Sequence, residues 1–207
     1  MSFLTNANAR PRIAMTEQID DIHMWNAYLN GSQQALSTLA ERYYRPLHRY
    51  GRRFGVDKTV VDDCIQDLFL ELWQNRSRIR VPASVKFYLF KSLRNSVLRY
   101  QRYHQRFTSD YELEKNFDKV DLTYAENTLI DKETLDHLVQ RLHIQLATLP
   151  KREREALYLR YYENLSVSEI ADVMSVNRQS VSNFIQKALA KLREHWLGAL
   201  FVYLSFF

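Results

Sequence analysis

Apolar residues recur every three or four positions along most of this chain, and that spacing predicts amphipathic helices. Gly and Pro, which are frequent in the tight turns of β-rich folds, occur only four times each in 207 residues. The pattern therefore predicts an all-α fold. In the first half of the chain it predicts four helices, over residues 19–29, 33–54, 59–74 and 84–104.

Capping and breaking residues support these boundaries. Ser32 follows Asn30-Gly31 and is expected to cap the second helix, whereas Pro46 is expected to bend it. Ile22, Trp25, Ala27 and Leu29 form the apolar stripe predicted for the first helix. The apolar set predicted for the third helix is Val61, Ile65, Leu68, Leu72 and Trp73, which leaves Phe69 off the core face.

The fourth helix has two contrasting faces. At 100° per residue, one arc is formed by Leu89, Leu93, Val97 and Tyr100, and the opposite arc by Tyr88, Lys91, Asn95, Arg99 and Arg102. The alternative for the second arc is an ordinary solvated face. A nucleic-acid role is favoured because no acidic residue occurs from Leu72 to Ser109, and cations, an amide and an aromatic ring can bind phosphates and bases.

The second half contains a pattern typical of a helix-turn-helix. Ser166 and Glu169 fit a capping box for a helix over 167–174, and Asn177 is a good cap for the helix that follows. Its predicted buried side is Val181, Phe184, Ile185, Ala188 and Leu192. A supporting helix precedes the pair, with Pro150 near its first turn and Asn164 as a left-handed terminating residue.

A helix-turn-helix either reads DNA or belongs to a plain bundle, and the pattern alone leaves both open. The positions that would face a DNA groove are Arg178, Gln179, Ser182, Asn183 and Gln186. Gln and Asn can pair with adenine but add little to the salt-dependent attraction for phosphate. The cations flank this face instead, at Lys151, Arg152, Arg154, Arg160, Lys187, Lys191 and Arg193.

An acidic stretch separates the two halves. Nine acidic residues oppose three lysines between Asp110 and Gln140, and the first part of the stretch has no clear period. We therefore predict five segments. They are a flexible segment 1–18, a first helical domain 19–107, an acidic linker 108–134, a second helical domain 135–197 and an apolar tail 198–207.

Several function classes lack support in the sequence. The single cysteine, Cys64, cannot form a disulfide within the chain and is expected to be a small buried residue in a cytoplasmic protein. The His residues lack metal-ligand spacing, so we predict no metal and no cofactor. No catalytic constellation is present, so an enzyme is not expected. The apolar C-terminus is shorter than the roughly 20 residues that a membrane span needs.

Taken together, the motifs resemble a bacterial RNA polymerase sigma factor of the extracytoplasmic-function class, closest to the variety common in Bacteroidetes-type bacteria. The resemblance covers about residues 20–105 and 135–195. It rests on "DDCIQDLFLELWQNR" and "VKFYLFKSLRNSVLRY" in the first half and on "LPKREREALYLRYYENLSVSEIADVMSVNRQSVSNFIQKALAKLRE" in the second.

The resemblance implies specific roles and partners. Asp63, Gln66 and Phe69 would bind the clamp helices of the polymerase largest subunit, and the second domain would meet the flap of the second-largest subunit. The −10 promoter element would be bound by Arg76, Arg78, Arg80, Tyr88, Lys91, Arg94, Asn95, Arg99 and Arg102. The −35 element would be bound by Arg152, Arg178, Gln179, Ser182, Asn183, Gln186 and Lys187.

The recognition helix departs from its relatives, many of which carry Lys or Arg at Ser182, Asn183 and Gln186. A second DNA-bound factor could therefore recruit this chain to its promoters, and an anti-sigma partner is a further expectation. The alternative function is a stand-alone helix-turn-helix regulator, which would not explain the polymerase-docking pattern or the acidic linker.

Overall fold

The computed structural model of the chain describes residues 20–105, 142 and 144–205, and the side chains of 20–104, 142 and 144–194. Within these ranges the regular structure is helical and no strand is present, which confirms the predicted all-α class. The chain divides into two compact units with a boundary between Val120 and Asp121. The predicted segment 1–18 and the acidic linker 108–134 lie outside the described residues.

The first unit contains four helices close to the predicted ones. They are α1 over 20–29, α2 over Gln33–Arg52, α3 over Lys58–Gln74 and α4 over Val85–Gln105. Ser32 caps α2 as expected, because its side chain accepts a hydrogen bond from the amide of Ala35 at 3.2 Å. The helix continues through Pro46 and ends two residues earlier than predicted, before Gly55 turns the chain at φ 70°.

The buried side of α1 differs from the predicted stripe. Trp25 is fully buried as expected, but Ile22 and Leu29 are half-buried and Tyr28 is fully buried. Tyr28 tolerates burial because its hydroxyl donates a 2.7 Å hydrogen bond to the carbonyl of Leu72 on α3. Burial raises the pKa of Tyr28 to about 12, so the ring stays neutral and continues to donate this bond.

The core of the first unit is shared by α2, α3 and α4. Its fully buried side chains include Leu39, Leu47, Tyr50, Val61, Leu89, Phe90, Leu93 and Val97. Cys64 is buried among them and burial raises the pKa of its thiol, which confirms the expected role as a small apolar residue. The α4 apolar arc is thus confirmed at Leu89, Leu93 and Val97, while Tyr100 is half-buried.

The second unit places a helix-turn-helix on a supporting helix. Its elements are α5 over 144–148, α6 over Lys151–Leu157, α7 over Val167–Met174 and α8 over Arg178–Ser205. Asn164 has φ 55°, as predicted for the residue that ends the supporting helix. A π-helical turn over Tyr158–Tyr162 extends α6, which the sequence pattern did not predict.

The last helix, α8, runs past the predicted second domain. Its backbone stays helical to Ser205, so it includes most of the predicted tail 198–207, although the side chains after Glu194 lie outside the described set. Among the described residues, no helix combines the length and apolarity needed to cross a membrane.

Candidate nucleic-acid interface

The exposed face of α4 carries the predicted polar stripe. Asn95, Arg99 and Arg102 are exposed, and Lys91 is half-buried, while Leu89, Leu93 and Val97 behind them are fully buried. Burial of that apolar arc fixes the rotation of the helix, so the stripe must face outward. Arg94, which was also predicted to bind −10 DNA, is half-buried on the same helix.

Two members of the predicted −10 set are supported by aromatic contacts. Tyr88 packs edge-on against the buried Trp25, with ring centroids 5.2 Å apart, and remains half-buried. The ammonium of Lys91 lies 5.4 Å from the centroid of the Phe87 ring, a cation–π contact along the helix. These contacts restrain both side chains at the surface, which lowers the entropy that binding would cost.

The loop between α3 and α4 contributes three of the cations predicted to bind −10 DNA, and these differ in how far their side chains extend into solvent. Arg76 folds back onto Trp73, with its guanidinium 4.5 Å from the ring centroid and a 2.9 Å bond from Nη1 to the Trp73 carbonyl. Arg78 and Arg80 are exposed. Arg76 is thus held by its own chain, whereas Arg78 and Arg80 extend into solvent.

A groove of about 570 Å³ lies between α2 and α3. Gln66 and Phe69 of the predicted polymerase-docking triad line it, and Asp63 is exposed one turn before them. Leu70 is 49% exposed at the groove, and Tyr44 is 42% exposed. Such apolar side chains in an open groove are typical of a surface that binds another protein.

Asp62 organises one edge of this groove. Its Oδ1 accepts a 2.7 Å hydrogen bond from the Tyr44 hydroxyl and lies 3.5 Å from Nε2 of His48. Burial lowers the pKa of His48 from its ordinary value, and the nearby Asp62 carboxylate offsets this only in part. His48 is therefore neutral at physiological pH.

Local hydrogen bonds build the helix-turn-helix. Ser166 and Glu169 form the predicted capping box at α7, with 3.2 Å and 2.8 Å bonds between each side chain and the other residue's amide. Ser175 turns the chain at φ 55°, and Asn177 Oδ1 then accepts a 2.7 Å bond from the amide of Ser180 at the start of α8. The predicted buried side of α8 is confirmed at Val181 and Ala188, while Phe184, Ile185 and Leu192 are half-buried.

The predicted −35 residues are mostly in solvent. Six of the seven are exposed and Ser182 is half-buried; the exposed six are Arg152, Arg178, Gln179, Asn183, Gln186 and Lys187. Three cations expected to flank them are instead engaged by the protein. Lys191 forms a 2.9 Å ion pair with the buried Glu153, Arg154 is buried, and Arg160 donates a 3.0 Å bond to the Leu165 carbonyl. Lys191 is thus paired with an acid and Arg154 is buried, whereas Arg160 keeps its charge at an exposed position.

One contact on this face was missed at the sequence level. Nε2 of Gln179 donates a 3.0 Å hydrogen bond to Oδ1 of Asn183, one helical turn further along α8. The spacing of four residues could have indicated it, since side chains at i and i+4 are neighbours on a helix. Across the residues with described side chains, no group of three or more His, Cys, Asp or Glu could hold a metal ion.

Known families match both units in order. The family "Sigma-70 region 2" matches residues 39–107, which include most of the groove lining and the α4 stripe. The family "Sigma-70, region 4" matches residues 145–194, which include the helix-turn-helix. The chain belongs to the sigma-70 family. It is an RNA polymerase sigma factor and directs promoter-specific transcription initiation; a stand-alone helix-turn-helix regulator would not carry region 2.

Relatives along most of the chain support the extracytoplasmic-function type. The sigma factor is 26% identical over 172 residues to the RNA polymerase sigma factor CnrH of Cupriavidus metallidurans, covering 79% of this chain and 87% of the relative. It is 25% identical over 186 residues to the RNA polymerase sigma factor NccH of Alcaligenes xylosoxydans xylosoxydans, covering 86% and 95%.

Solved structures show the same fold. CnrH, determined in complex with the cytosolic domain of CnrY, gives a TM-score of 0.56 at 23% identity, with 87% of this sigma factor and 98% of that chain covered. The sigma factor RpoE of Bartonella quintana, determined with the anti-sigma factor NepR, gives 0.55 at 18% identity, with coverages of 76% and 94%.

Proposed function

We propose that the two units divide the work of initiation. The first unit binds the polymerase and opens the −10 region of the promoter, and the second orients the complex through the −35 element. The stripe on α4 carries this proposal. Its cations and amide lie on a helix whose opposite face is buried at Leu89, Leu93 and Val97, in a stretch from Leu72 to Ser109 that contains no acidic residue.

The α4 stripe has the chemistry that promoter opening requires. Lys91, Arg99 and Arg102 can neutralise phosphates and release counterions, and Asn95 can bond a base edge. Arg78 and Arg80 in the preceding loop would hold a base flipped from the duplex, which costs a few kcal/mol of unstacking. Binding energy, rather than a catalytic residue, drives the opening.

The α2–α3 groove is the proposed polymerase-docking surface. Gln66 and Phe69 line it, together with exposed apolar side chains such as Leu70. We propose that Asp63, Gln66 and Phe69 bind the clamp helices of the largest subunit and that the second unit meets the flap of the second-largest subunit.

The second unit is proposed to contribute orientation more than affinity. Its groove-facing residues are mainly amides, and Lys191 and Arg154 are engaged within the unit. A weak reader suffices when it is tethered to a polymerase already held on DNA, because effective concentration replaces affinity. The acidic stretch 108–134 would serve as the tether and occupy a positively charged RNA channel until RNA displaces it.

The proposal also covers the bacterial group, the cellular location and the regulatory partners of this chain. We propose the variety common in Bacteroidetes-type bacteria, which the quoted motifs resemble, and a cytoplasmic location, which suits a chain with a single cysteine. Two sigma factors of the same fold were solved with protein partners, CnrY and the anti-sigma factor NepR. We therefore propose that an anti-sigma factor or a DNA-bound recruiting factor regulates this chain.

Charge reversal on α4 tests the central claim. We expect Lys91→Glu/Arg99→Glu to reduce run-off transcription and permanganate reactivity of unpaired −10 thymines at least roughly tenfold, because two phosphate contacts become repulsive. Binding of the variant to core polymerase should be unchanged, since the groove lies on α2 and α3.

The matched control is Arg45→Glu/Lys58→Glu, which makes the same change in net charge at exposed positions on α2 and α3. This variant should open the promoter normally. Full opening by the α4 variant would contradict the assignment, and so would equal loss in both variants, because the effect would then be one of total charge.

A further inference from the structure

The start of α8 presents a polar face built from side-chain amides. Gln179, Asn183 and Gln186 follow each other at spacings of four and three residues and are all exposed. Val181 and Ala188 are fully buried on the other side, so the amide face points away from the unit. From Arg178 to Arg193 the helix contains no acidic residue that would repel phosphate.

Hydrogen bonding fixes the orientation of one of these amides. Gln179 Nε2 donates to Asn183 Oδ1 at 3.0 Å, which uses one of its two hydrogens. Gln179 keeps one N–H donor and its carbonyl oxygen, and these lie side by side when the hydrogen given to Asn183 is the one trans to the oxygen. This donor and acceptor match the major-groove edge of adenine, where N7 accepts and the N6 amino group donates.

Gln179 and Asn183 lie near the N-terminal end of α8. Asn177 accepts a 2.7 Å bond from the Ser180 amide, which fixes where α8 begins, and Gln179 lies in the first turn. In helix-turn-helix proteins the N-terminal residues of the second helix contact base edges. The bond to Asn183 also restrains the long Gln179 side chain before DNA arrives, which reduces the entropy lost on binding.

We infer that Gln179, oriented by Asn183, is a specificity-determining residue that reads one adenine of the −35 element through N7 and N6. Asn183 acts on this base as a positioning residue and directs its own two amide hydrogens to an acceptor on the neighbouring base pair. This inference rests on the proposed −35 role of α8 and deepens it, because it assigns base preference to hydrogen bonds rather than to cations.

The test uses holoenzyme assembled from core polymerase and the full chain, on promoters with a fixed −10 element and randomised −35 bases. The native chain should prefer adenine at one position by about tenfold, the discrimination expected of a bidentate contact. Gln179→Met, which keeps the length and removes the amide, should abolish that preference and leave the other positions unchanged. Asn183→Leu should relax the same position and its neighbour.

A base analogue tests the base contact directly. A purely structural role of Gln179 would not make binding depend on the N7 atom of adenine. Replacing the preferred adenine with 7-deazaadenine removes the N7 acceptor and should weaken the native complex several-fold. The Gln179→Met complex should be indifferent to this replacement. A native preference that survives Gln179→Met, or equal sensitivity of both proteins to the analogue, would overturn the inference.

Two cation variants separate this inference from the −35 role itself. Arg178→Ala and Lys187→Ala should weaken binding to all −35 sequences alike and reduce its salt dependence. If they do so while Gln179→Met keeps the adenine preference, the inference fails and the −35 role stands. If no −35 sequence preference exists and neither cation matters, both fail.

Discussion

At the scale of single residues, Gly51 decides how closely α2 and α3 approach. A Cβ atom added there would lie 2.5 Å from Cγ1 of Val61, a distance that real contacts do not show. Val61 is fully buried and β-branched within α3, so its side chain has little freedom to move aside. The glycine in the last turn of α2 is therefore a packing requirement.

Gly51→Ala should therefore destabilise the first unit although alanine favours helix. The gain in helix propensity is about 1 kcal/mol, whereas overpacking a core costs about 1–3 kcal/mol. We expect a lower urea midpoint, followed by circular dichroism of the full chain. In Gly51→Ala/Val61→Ala the loss should be smaller than the sum of the single losses. A higher midpoint for Gly51→Ala would contradict the contact.

The residue type predicted the left-handed backbone conformation at Asn164 but not at Ser175. Asn164 was predicted to adopt the left-handed conformation, and its φ is 55°. Ser175, which lies between the two helices of the predicted helix-turn-helix, has the same φ. Asn adopts the left-handed conformation readily, whereas Ser does not. At Ser175, therefore, the packing of α7 against α8 sets the backbone conformation, and the residue type does not.

At the scale of elements, an ion pair between the buried Glu153 and the partly exposed Lys191 joins α6 to α8. Glu153 is 7% exposed, and Lys191 Nζ lies 3.2 Å and 2.9 Å from its two carboxylate oxygens. The sequence placed Lys191 among the cations available for DNA. Its pairing with a residue 38 positions earlier depends on how the two helices pack, which no local pattern records.

Lys191→Met should destabilise the second unit because it leaves the Glu153 carboxylate buried without a partner. The expected loss is about 1–3 kcal/mol, toward the lower end because Lys191 is partly exposed. Faster hydrogen–deuterium exchange of α6 and α8 amides would report it. Glu153→Gln/Lys191→Met should restore much of the loss, and a double variant as unstable as Lys191→Met would count against the pair.

Helix boundaries were well predicted where local bonds set them. The capping box of Ser166 and Glu169 and the caps at Ser32 and Asn177 involve residues within three positions of each other. The π-helical turn over Tyr158–Tyr162 was not predicted, because it accompanies a bond from the Tyr158 hydroxyl to the buried Glu163. Its register depends on burial of that pair.

At the scale of the whole molecule, the two units differ in how they are equipped for DNA. The α4 face of the first unit combines the exposed Arg99 and Arg102 with Arg78 and Arg80 of the preceding loop, whereas the α8 face of the second places three exposed amides between Arg178 and Lys187. Tethering to the polymerase compensates for a weak reader, and the proposed recruiting factor would add to this compensation. Dependence on such a factor predicts weak initiation from a promoter that offers only −10 and −35 elements.

Gln186→Arg should therefore raise transcription from such a minimal promoter roughly tenfold, since one added cation contributes a phosphate contact. In-vitro transcription with purified core polymerase measures it. Ala147→Arg, an equal charge change at an exposed position on α5, should have no such effect. Efficient initiation by the native chain without another protein would rule out dependence on a recruiting factor.

The sequence by itself determined the all-α class, the position of most helices, the capping residues and the outward face of α4. These features follow from periodicity and from bonds between residues close in the chain. Only the tertiary structure decided which cations remain in solvent, where the α2–α3 groove lies and how closely Gly51 meets Val61. Those features arise from contacts between helices distant in sequence, whose distances depend on packing of the whole unit.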